Sequence, residues 1–221
     1  MTKLAIIGAT GRMGARVVAL AAEHDCQVVA AITRASQQLG TTPDVIIDFS
    51  TPSATRQWLG VARARRIPML IGTTGLSPDD HRAIDDAARD IAVMQSPNMS
   101  VGVAVLYELA RRAAELLSEC DVEIVESHHR GKKDAPSGTA LALRDAIGKQ
   151  GVNIHSMRMG DEVGRHTAYF AVPGERIELA HVATNRDTFA RGALRAAAWL
   201  ARQKPGRYTI ADLFAVKRSG K

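Results

Sequence analysis

An apolar run, Leu4 to Ile7, ends on the segment Gly8-Ala9-Thr10-Gly11-Arg12-Met13-Gly14, and an amphipathic helical pattern follows from about Arg12 to Glu23. A strand that turns this quickly into a helix needs small residues at the turn, because the helix start must lie close against the strand end. The same small residues leave backbone N–H groups and the positive end of the helix open to a pyrophosphate, which a side chain would hold away. The spacing is GxxGxxG, a variant of the usual dinucleotide fingerprint, and Arg12 adds a cation beside it. A tight turn with no ligand would use the same glycines, so the surrounding pattern has to decide.

That pattern is an alternation of short strands and helices. Val28 to Ile32, Val45 to Phe49, Met69 to Ile71 and Ala92 to Met94 are short apolar runs. Thr51-Pro52 and Ser77-Pro78 each place a capping hydroxyl before a proline suited to the first helical position. The first of these helices should run to about Arg66. Alternating elements with short loops predict a parallel sheet covered on both faces, a doubly wound Rossmann-type fold. Such a sheet binds its ligand at the carboxyl ends of the strands, where Gly72, Thr73 and Thr74, and then Ser96, Pro97, Asn98 and Met99, are candidates to line a nicotinamide, with ordinary loops as the plainer alternative. At the end of the second strand, where an acid would meet a ribose hydroxyl, the chain has Ile32-Thr33-Arg34. Arg34 suits a 2′-phosphate, which favours NADPH over NADH. A solvated loop arginine is the plainer reading of the same residue.

After Ser96-Pro97-Asn98 the rhythm changes. A long helix is expected over about Val101 to Leu117, a strand over Val122 to Val125, a polar stretch from Glu126 to Ser137, and a helix from about Thr139 to Lys149. Two strands, His166 to Val172 and Arg176 to Ala183, meet at Pro173-Gly174, which suggests an antiparallel or mixed sheet. A last helix is expected over Arg191 to Arg202. The division that follows is a dinucleotide-binding domain of residues 1–99 plus 187–221, with an α+β substrate-binding and oligomerisation domain, residues 100–186, inserted in it.

Composition narrows the partners. The chain has 221 residues, enough to bury a real core, and carries a net charge of +6 with 4% aromatic residues. Its cations are spread along the chain and there are few rings to stack bases, so anionic small molecules fit better than nucleic acid. Cys26 and Cys120 lie far apart and suggest neither a disulfide framework nor a metal site. No signal-peptide pattern opens the chain and no apolar run is long enough for a membrane span, so a cytoplasmic location is expected.

The densest chemistry lies in Glu126-Ser127-His128-His129-Arg130-Gly131-Lys132-Lys133-Asp134-Ala135-Pro136-Ser137-Gly138-Thr139. Neighbours on a strand point to opposite sides, so only one of His128 and His129 faces a given pocket unless the chain bends. A histidine near neutral pKa suits general acid work. Lys132 suits a carboxylate or a proton transfer, and Ser137-Gly138-Thr139 offers N–H groups and hydroxyls to an anion at a helix start. A charged, solvated loop is the plain alternative. No further ligand stands at metal spacing, so no metal is expected.

This block resembles the signature of the dihydrodipicolinate reductases, in the form His128-His129-x-x-Lys132-x-Asp134-Ala135-Pro136-Ser137-Gly138-Thr139. Gly8 to Gly14, Asp48-Phe49-Ser50, Gly72-Thr73-Thr74-Gly75 and Pro97-Asn98-x-Ser100-Val101-Gly102-Val103 fit the same family in the same order, as do Gly164-x-His166-Thr167 and Thr188-Phe189-Ala190-x-Gly192-Ala193. The resemblance implies an NAD(P)H-dependent oxidoreductase of the diaminopimelate route to lysine. Its reaction is reduction, at carbon 4 of the ring, of the cyclic imine derived from 4-hydroxy-tetrahydrodipicolinate, a small dianionic heterocycle. By matching positions His128 would be the proton donor and acceptor and Lys132 the proton donor. His129, Gly138 and Thr139 would bind substrate, with Ser137 beside them. Gly8 to Met13, Gly72 to Thr74 and Ser96 to Met99 would hold the cofactor. A homotetramer built through the substrate-domain sheets is implied as well. Thr33 stands where many members carry an acid, and the stretch between Ile32 and Asp44 is short for the family.

Overall fold

The computed structural model describes residues 1–214, so the end of the segment expected to complete the nucleotide domain, residues 215–221, lies outside the described residues. In chain order the first elements are β1 (Thr2–Ile7), α1 (Arg12–Leu20), β2 (Cys26–Ile32), β3 (Val45–Asp48), α2 (Pro52–Arg65), β4 (Met69–Ile71), α3 (Pro78–Ala87) and β5 (Ala92–Gln95). There follow α4 (Val101–Leu116), β6 (Asp121–His128), α5 (Gly138–Ile147), β7 (Asn153–Arg158), β8 (Gly164–Val172), β9 (Glu175–Ala183), α6 (Asp187–Leu200) and β10 (Gly206–Tyr208). They divide into two compact units, Met1–Ser100 with the chain from Phe189 onward, and Val101–Thr188.

The first unit is a parallel sheet in the order β10-β5-β4-β3-β1-β2. Successive residues Leu4, Ala5, Ile6 and Ile7 are all at most 2% exposed, which requires cover on both faces of β1. On one face Ala5, Ile7, Ile46, Met69 and Ile71 pack with Trp58, Leu59 and Ala62 of α2 and Ile84 and Ala87 of α3. Both of these helices begin as their sequences require. Thr51 accepts from the Ala54 N–H, and Ser77 and Asp80 form a reciprocal capping box.

Strand β1 has β2 on one side and β3 on the other, so the chain reverses its winding there and opens a crevice at the strand ends. The glycines make the turn possible. Gly8 has φ +76°, in the left-handed region, and a Cβ on it would overlap the Phe49 carbonyl oxygen. A Cβ on Gly14 would overlap the carbonyl oxygen of Gly8, so only a glycine lets α1 start this close to β1.

The second unit is a mixed sheet in the order β7-β6-β8-β9. Strands β6 and β7 run parallel through the crossover helix α5, whereas β6-β8 and β8-β9 are antiparallel. Helices α4 and α5 cover one face, burying Leu106, Ala110, Leu143 and Ile147 against Val122, Ile124, Ala168 and Phe170. The fold is therefore a Rossmann-like α/β unit with an α+β unit, as the strand rhythm predicts.

The differences are local and have physical causes. Two strands were not predicted from the sequence. β7 is an edge strand in which only Ile154 and Met157 are large apolar residues, and β10 is a three-residue edge, Gly-Arg-Tyr. β6 runs three residues past its expected end at Val125, carrying Glu126, Ser127 and His128 into the sheet. α1 stops at Leu20 and a 3-10 turn follows at Ala22–His24. α6 starts at Asp187 rather than Arg191. Among the described residues no helix is long and apolar enough to cross a membrane.

Candidate active site

In the first unit the expected cofactor residues gather at the carboxyl ends of the strands. Gly8 to Met13 form the turn after β1. Gly72, Thr73 and Thr74 follow β4, and Ser96, Pro97, Asn98 and Met99 follow β5. A cavity of about 370 Å³ opens at the reversal point, lined by Gly8, Thr33, Arg34, Ser50, Thr51 and Gln57 among others, and none of its lining residues is an acid. Thr33 spends its hydroxyl on its own turn, accepting from the Ala35 and Ser36 N–H groups. The cradle fits a dinucleotide phosphate: its backbone can be approached closely, and Arg12 and Arg34 are exposed cations at its rim.

The loops of this cradle are tied together from below by Asp48, which is wholly buried at the end of β3. It accepts from the Ser50 N–H at 3.0 Å, from the Ser50 hydroxyl, and from the Thr55 hydroxyl at 2.5 Å. The same Ser50 N–H reaches the Thr73 hydroxyl at 3.0 Å, which couples the loop after β3 to the loop after β4. Burial pushes the Asp48 carboxyl up, and the hydrogen bonds from Ser50, Thr55 and Thr73 oppose that rise. In the next loop the Ser96 hydroxyl donates to the Asn98 carbonyl at 2.6 Å, and Asn98 Oδ1 accepts from the Ser100 N–H at 2.8 Å.

In the second unit the sheet register assembles a polar tier at the end of an apolar face. Along β6 and β8 the paired residues are Val122 with Phe170, Ile124 with Ala168, and then Glu126 with His166. On the other side His128 pairs with Arg158 of β7 and Glu126 with Ser156. Paired residues and those two apart share a face, so Glu126, His128, Arg158 and His166 meet where the aliphatic core stops. His128 Nδ1 lies 2.5 Å from Glu126 Oε2. Arg158 grips both Glu126 oxygens, at 3.0 and 2.7 Å, and also donates to the Asp134 carbonyl at 2.6 Å. Ser137 caps α5 by accepting from the Ala140 N–H, donates its own N–H to Glu126 Oε1 at 3.2 Å, and meets His166 Nε2 at 3.1 Å. On the other side of that helix start, the Tyr107 hydroxyl donates to the Thr139 carbonyl at 3.1 Å.

Burial alone would raise the Glu126 carboxyl, but hydrogen bonds from Arg158, Ser156 and His128 outweigh it and hold the group down at about 2. His128 is pushed down by burial, with Lys132 and Arg158 adding to the fall and Glu126 opposing it. Burial drives His166 down to about 3. The tier at neutral pH is therefore one buried anion, one guanidinium and two neutral imidazoles. Lys132 stands on the loop after β6 with Nζ 2.8 Å from both Asp134 oxygens, a pair open to solvent. His129 lies past the strand end and is half-buried, its N–H donating to the Glu162 carbonyl. The strand ends at His128, so the alternation that sets the facing of His128 does not extend to His129.

Of the residues in this tier, sequence reasoning singles out His128 and Ser137 as candidates but not Glu126, Arg158 or His166. Glu126 reads in the sequence as the start of the polar stretch, and it joins the tier because β6 continues to His128. His166 stands in a segment that fits the family, Gly164-x-His166-Thr167, with nothing to say where it lies, and Arg158 has no signal; the register with β8 and β7 brings them in. The fold also gathers possible metal ligands that spacing did not suggest: Glu126, His128 and His166 offer ligand atoms within 4.8 Å of one another. The donor chemistry does not favour a cation, since Arg158 already neutralises both carboxylate oxygens.

The tier makes stability depend on pH with a definite sign. The His166 pKa falls from an ordinary 6.5 to about 3 on folding. Between those values the unfolded chain binds a proton that the folded chain does not, so stability drops as pH falls from 6.5 towards 3, by up to about 1.4 kcal/mol per pH unit. Glu126, depressed from 4.5 to about 2, contributes stability that is full above 4.5 and is lost as pH falls through 2. Urea unfolding midpoints should decline steadily below pH 6.5, and His166→Gln should flatten the upper part of that decline. An unchanged slope in the variant would show that His166 is not held neutral.

Profiles of the family described as dihydrodipicolinate reductase match nearly the whole chain, the N-terminal one over residues 2–99 and the C-terminal one over residues 102–214. A 4-hydroxy-tetrahydrodipicolinate reductase of Stenotrophomonas maltophilia is 46% identical over 231 aligned positions, covering 96% of this chain and 97% of the relative. One of Anaeromyxobacter dehalogenans is 38% identical and covers 100% of both chains. A dipicolinate-bound dihydrodipicolinate reductase from Paenisporosarcina superposes with a TM-score of 0.80 at 22% identity, over 98% of this chain and 100% of that one, and so shares its fold. The chain belongs to the dihydrodipicolinate reductase family, whose full-length curated relatives are 4-hydroxy-tetrahydrodipicolinate reductases.

Proposed function

We propose that the chain catalyses the 4-hydroxy-tetrahydrodipicolinate reductase reaction, reducing the ring imine of a dianionic heterocycle to tetrahydrodipicolinate on the route to lysine, with His128 as proton donor and acceptor and Lys132 as proton donor. The observation that carries this is the polar tier at the end of the second unit's core, where a histidine fixed by a buried carboxylate stands beside the start of α5. A reduced nicotinamide supplies the hydride. Gly8, Ala9, Thr10, Gly11, Arg12 and Met13 hold its pyrophosphate. Gly72, Thr73, Thr74 and Ser96 to Met99 form the nicotinamide end, with the Met99 side chain buried.

The residues of the second unit do the rest. The N–H groups of Gly138 and Thr139 take one ring carboxylate at the positive end of α5, on a turn shaped by Ser137, whose own N–H and hydroxyl are engaged with Glu126, Ala140 and His166. His129 adds a further polar contact. Lys132 exchanges its partner Asp134 for the incoming dianion, because a bound carboxylate without competing solvent is the stronger acceptor. Hydride addition to a conjugated imine builds electron density on the ring, and His128 and Lys132 return a proton to it. In an assay that couples NAD(P)H oxidation to a dihydrodipicolinate synthase, His128→Ala and Lys132→Ala should each lower kcat by roughly 10²–10⁴-fold with little change in nucleotide binding. Full turnover in either variant removes that residue from its role.

The cofactor is NADPH in preference to NADH, on the strength of Arg34 in an acid-free cavity. Arg34→Ala should raise the KM for NADPH by about tenfold, the ~1.4 kcal/mol of one charge-assisted contact, and leave NADH nearly unaffected. Equal effects on both cofactors would refute the 2′-phosphate role. The working assembly is a homotetramer formed through the uncovered face of the second unit's sheet, where Met157 and Val182 are 47% and 50% exposed. Light scattering should give four times the chain mass, and a monomer would exclude it.

A further inference from the structure

We propose that Glu126 is the positioning residue of the acid–base site, holding His128 as the Nδ1–H tautomer so that protons are exchanged at Nε2. The inference rests on the reading of His128 as the proton donor and acceptor, and adds to it the atom that acts and the group that selects it.

The selection follows from what Glu126 can and cannot do. It is wholly buried, and each of its oxygens is engaged. Oε1 accepts from Arg158 Nη2 at 2.7 Å and the Ser137 N–H at 3.2 Å, while Oε2 accepts from Arg158 Nη1 at 3.0 Å and lies 2.5 Å from His128 Nδ1. A carboxylate gripped by a guanidinium remains ionised, and an ionised carboxylate only accepts. The hydrogen between Glu126 and the imidazole is thus the ring's, and it sits on Nδ1. In the neutral ring Nε2 is then the bare nitrogen, free to take a proton and return it.

The surroundings fix the ring as well as its tautomer. Gly164 lies beside it, and a Cβ on that residue would stand 2.9 Å from Nε2. The edge of the ring thus has room at the proton-exchanging atom because β8 carries a glycine there. His166 meets the ring edge to face, with centroids 5.0 Å apart and planes at 73°. The same carboxylate binds the Ser137 N–H, so one buried anion orients both the imidazole and the helix start that receives the substrate carboxylate. The remaining charged neighbours of His128, Lys132 and Arg158, are cations and offer its nitrogens no acceptor.

The direct test needs no substitution of Glu126. Long-range ¹H–¹⁵N spectra of the ¹⁵N-labelled full chain at pH 7.5, with His128 assigned by its loss in His128→Asn, should show Nδ1 protonated and Nε2 bare. A protonated Nε2 would overturn the proposal while leaving His128 as the proton donor. In Glu126→Gln the His128 signals should shift towards a mixture of tautomers, and kcat should fall by about 10²-fold or more with the KM for nucleotide within about twofold of wild type. The two residues act as one unit, so Glu126→Gln in the His128→Asn background should cost almost nothing further. A full multiplicative loss in the double variant means Glu126 serves the fold alone and overturns the proposal. Unimpaired turnover in His128→Asn would instead remove the reading on which the proposal rests, and the wild-type spectrum would still report whether Glu126 sets the tautomer.

Discussion

A carboxylate at the end of an apolar sheet face has no water to satisfy it, and the second unit is arranged around meeting that demand at Glu126. Left with a single partner it would be protonated or expelled. With Arg158 across both oxygens, the Ser137 N–H on one and His128 on the other, it stays ionised in a place where an ion is otherwise costly. Each of those partners belongs to a different element: β7, the start of α5, and the end of β6. The anion therefore fixes three pieces of backbone relative to one another, and the groups of the active site are fixed with them. Removing Arg158 would leave the others facing an unpaired charge, and removing either of the others would leave a carboxylate oxygen short of a donor, so the tier is cooperative by construction.

The first unit sets no cation against its buried Asp48 carboxyl group. Gly8 and Gly14 let backbone approach backbone, and Asp48 ties the loops after β3 and β4 through neutral hydroxyls and N–H groups. The cavity above is left free of acids, which suits a ligand that brings its own negative charge. The contrast follows from the ligands. A pyrophosphate is held by many weak, fixed dipoles at a helix start, whereas a proton transfer needs one group whose tautomer and orientation are set.

The sequence carried most of the fold because most of its elements have an internal signal. Strand Met69–Ile71 is fully apolar and Ala92–Gln95 is apolar up to its last residue, and Thr51-Pro52 and Ser77-Pro78 mark helix starts that the structure realises with the expected caps. β7 and β10 escaped because edge strands are held by pairing rather than by apolar alternation. In the site the same rule applies. His128, Lys132, Ser137, Gly138 and Thr139 fall in one short stretch because one strand end, one loop and one helix start make the rim of the proposed site, and a contiguous rim is legible as a motif. Glu126 looked like the first residue of a polar loop, since nothing local says that β6 continues past Val125.

His166 shows how far the missing part depends on register. It is 38 residues from His128 in sequence, yet it is the cross-strand partner of Glu126, two positions before His128 on the same face. A slip of one residue between β6 and β8 would turn His166 outward and bring a neighbour of opposite facing into the tier. What prevents the slip is the aliphatic part of the same face: Phe170 must meet Val122 and Ala168 must meet Ile124 for α4 and α5 to close over them. The hydrophobic core therefore sets the chemistry by setting the register. The apolar pairs deliver the imidazole of His166 and the glycine at position 164 to the places where His128 needs a neighbouring ring and an open edge.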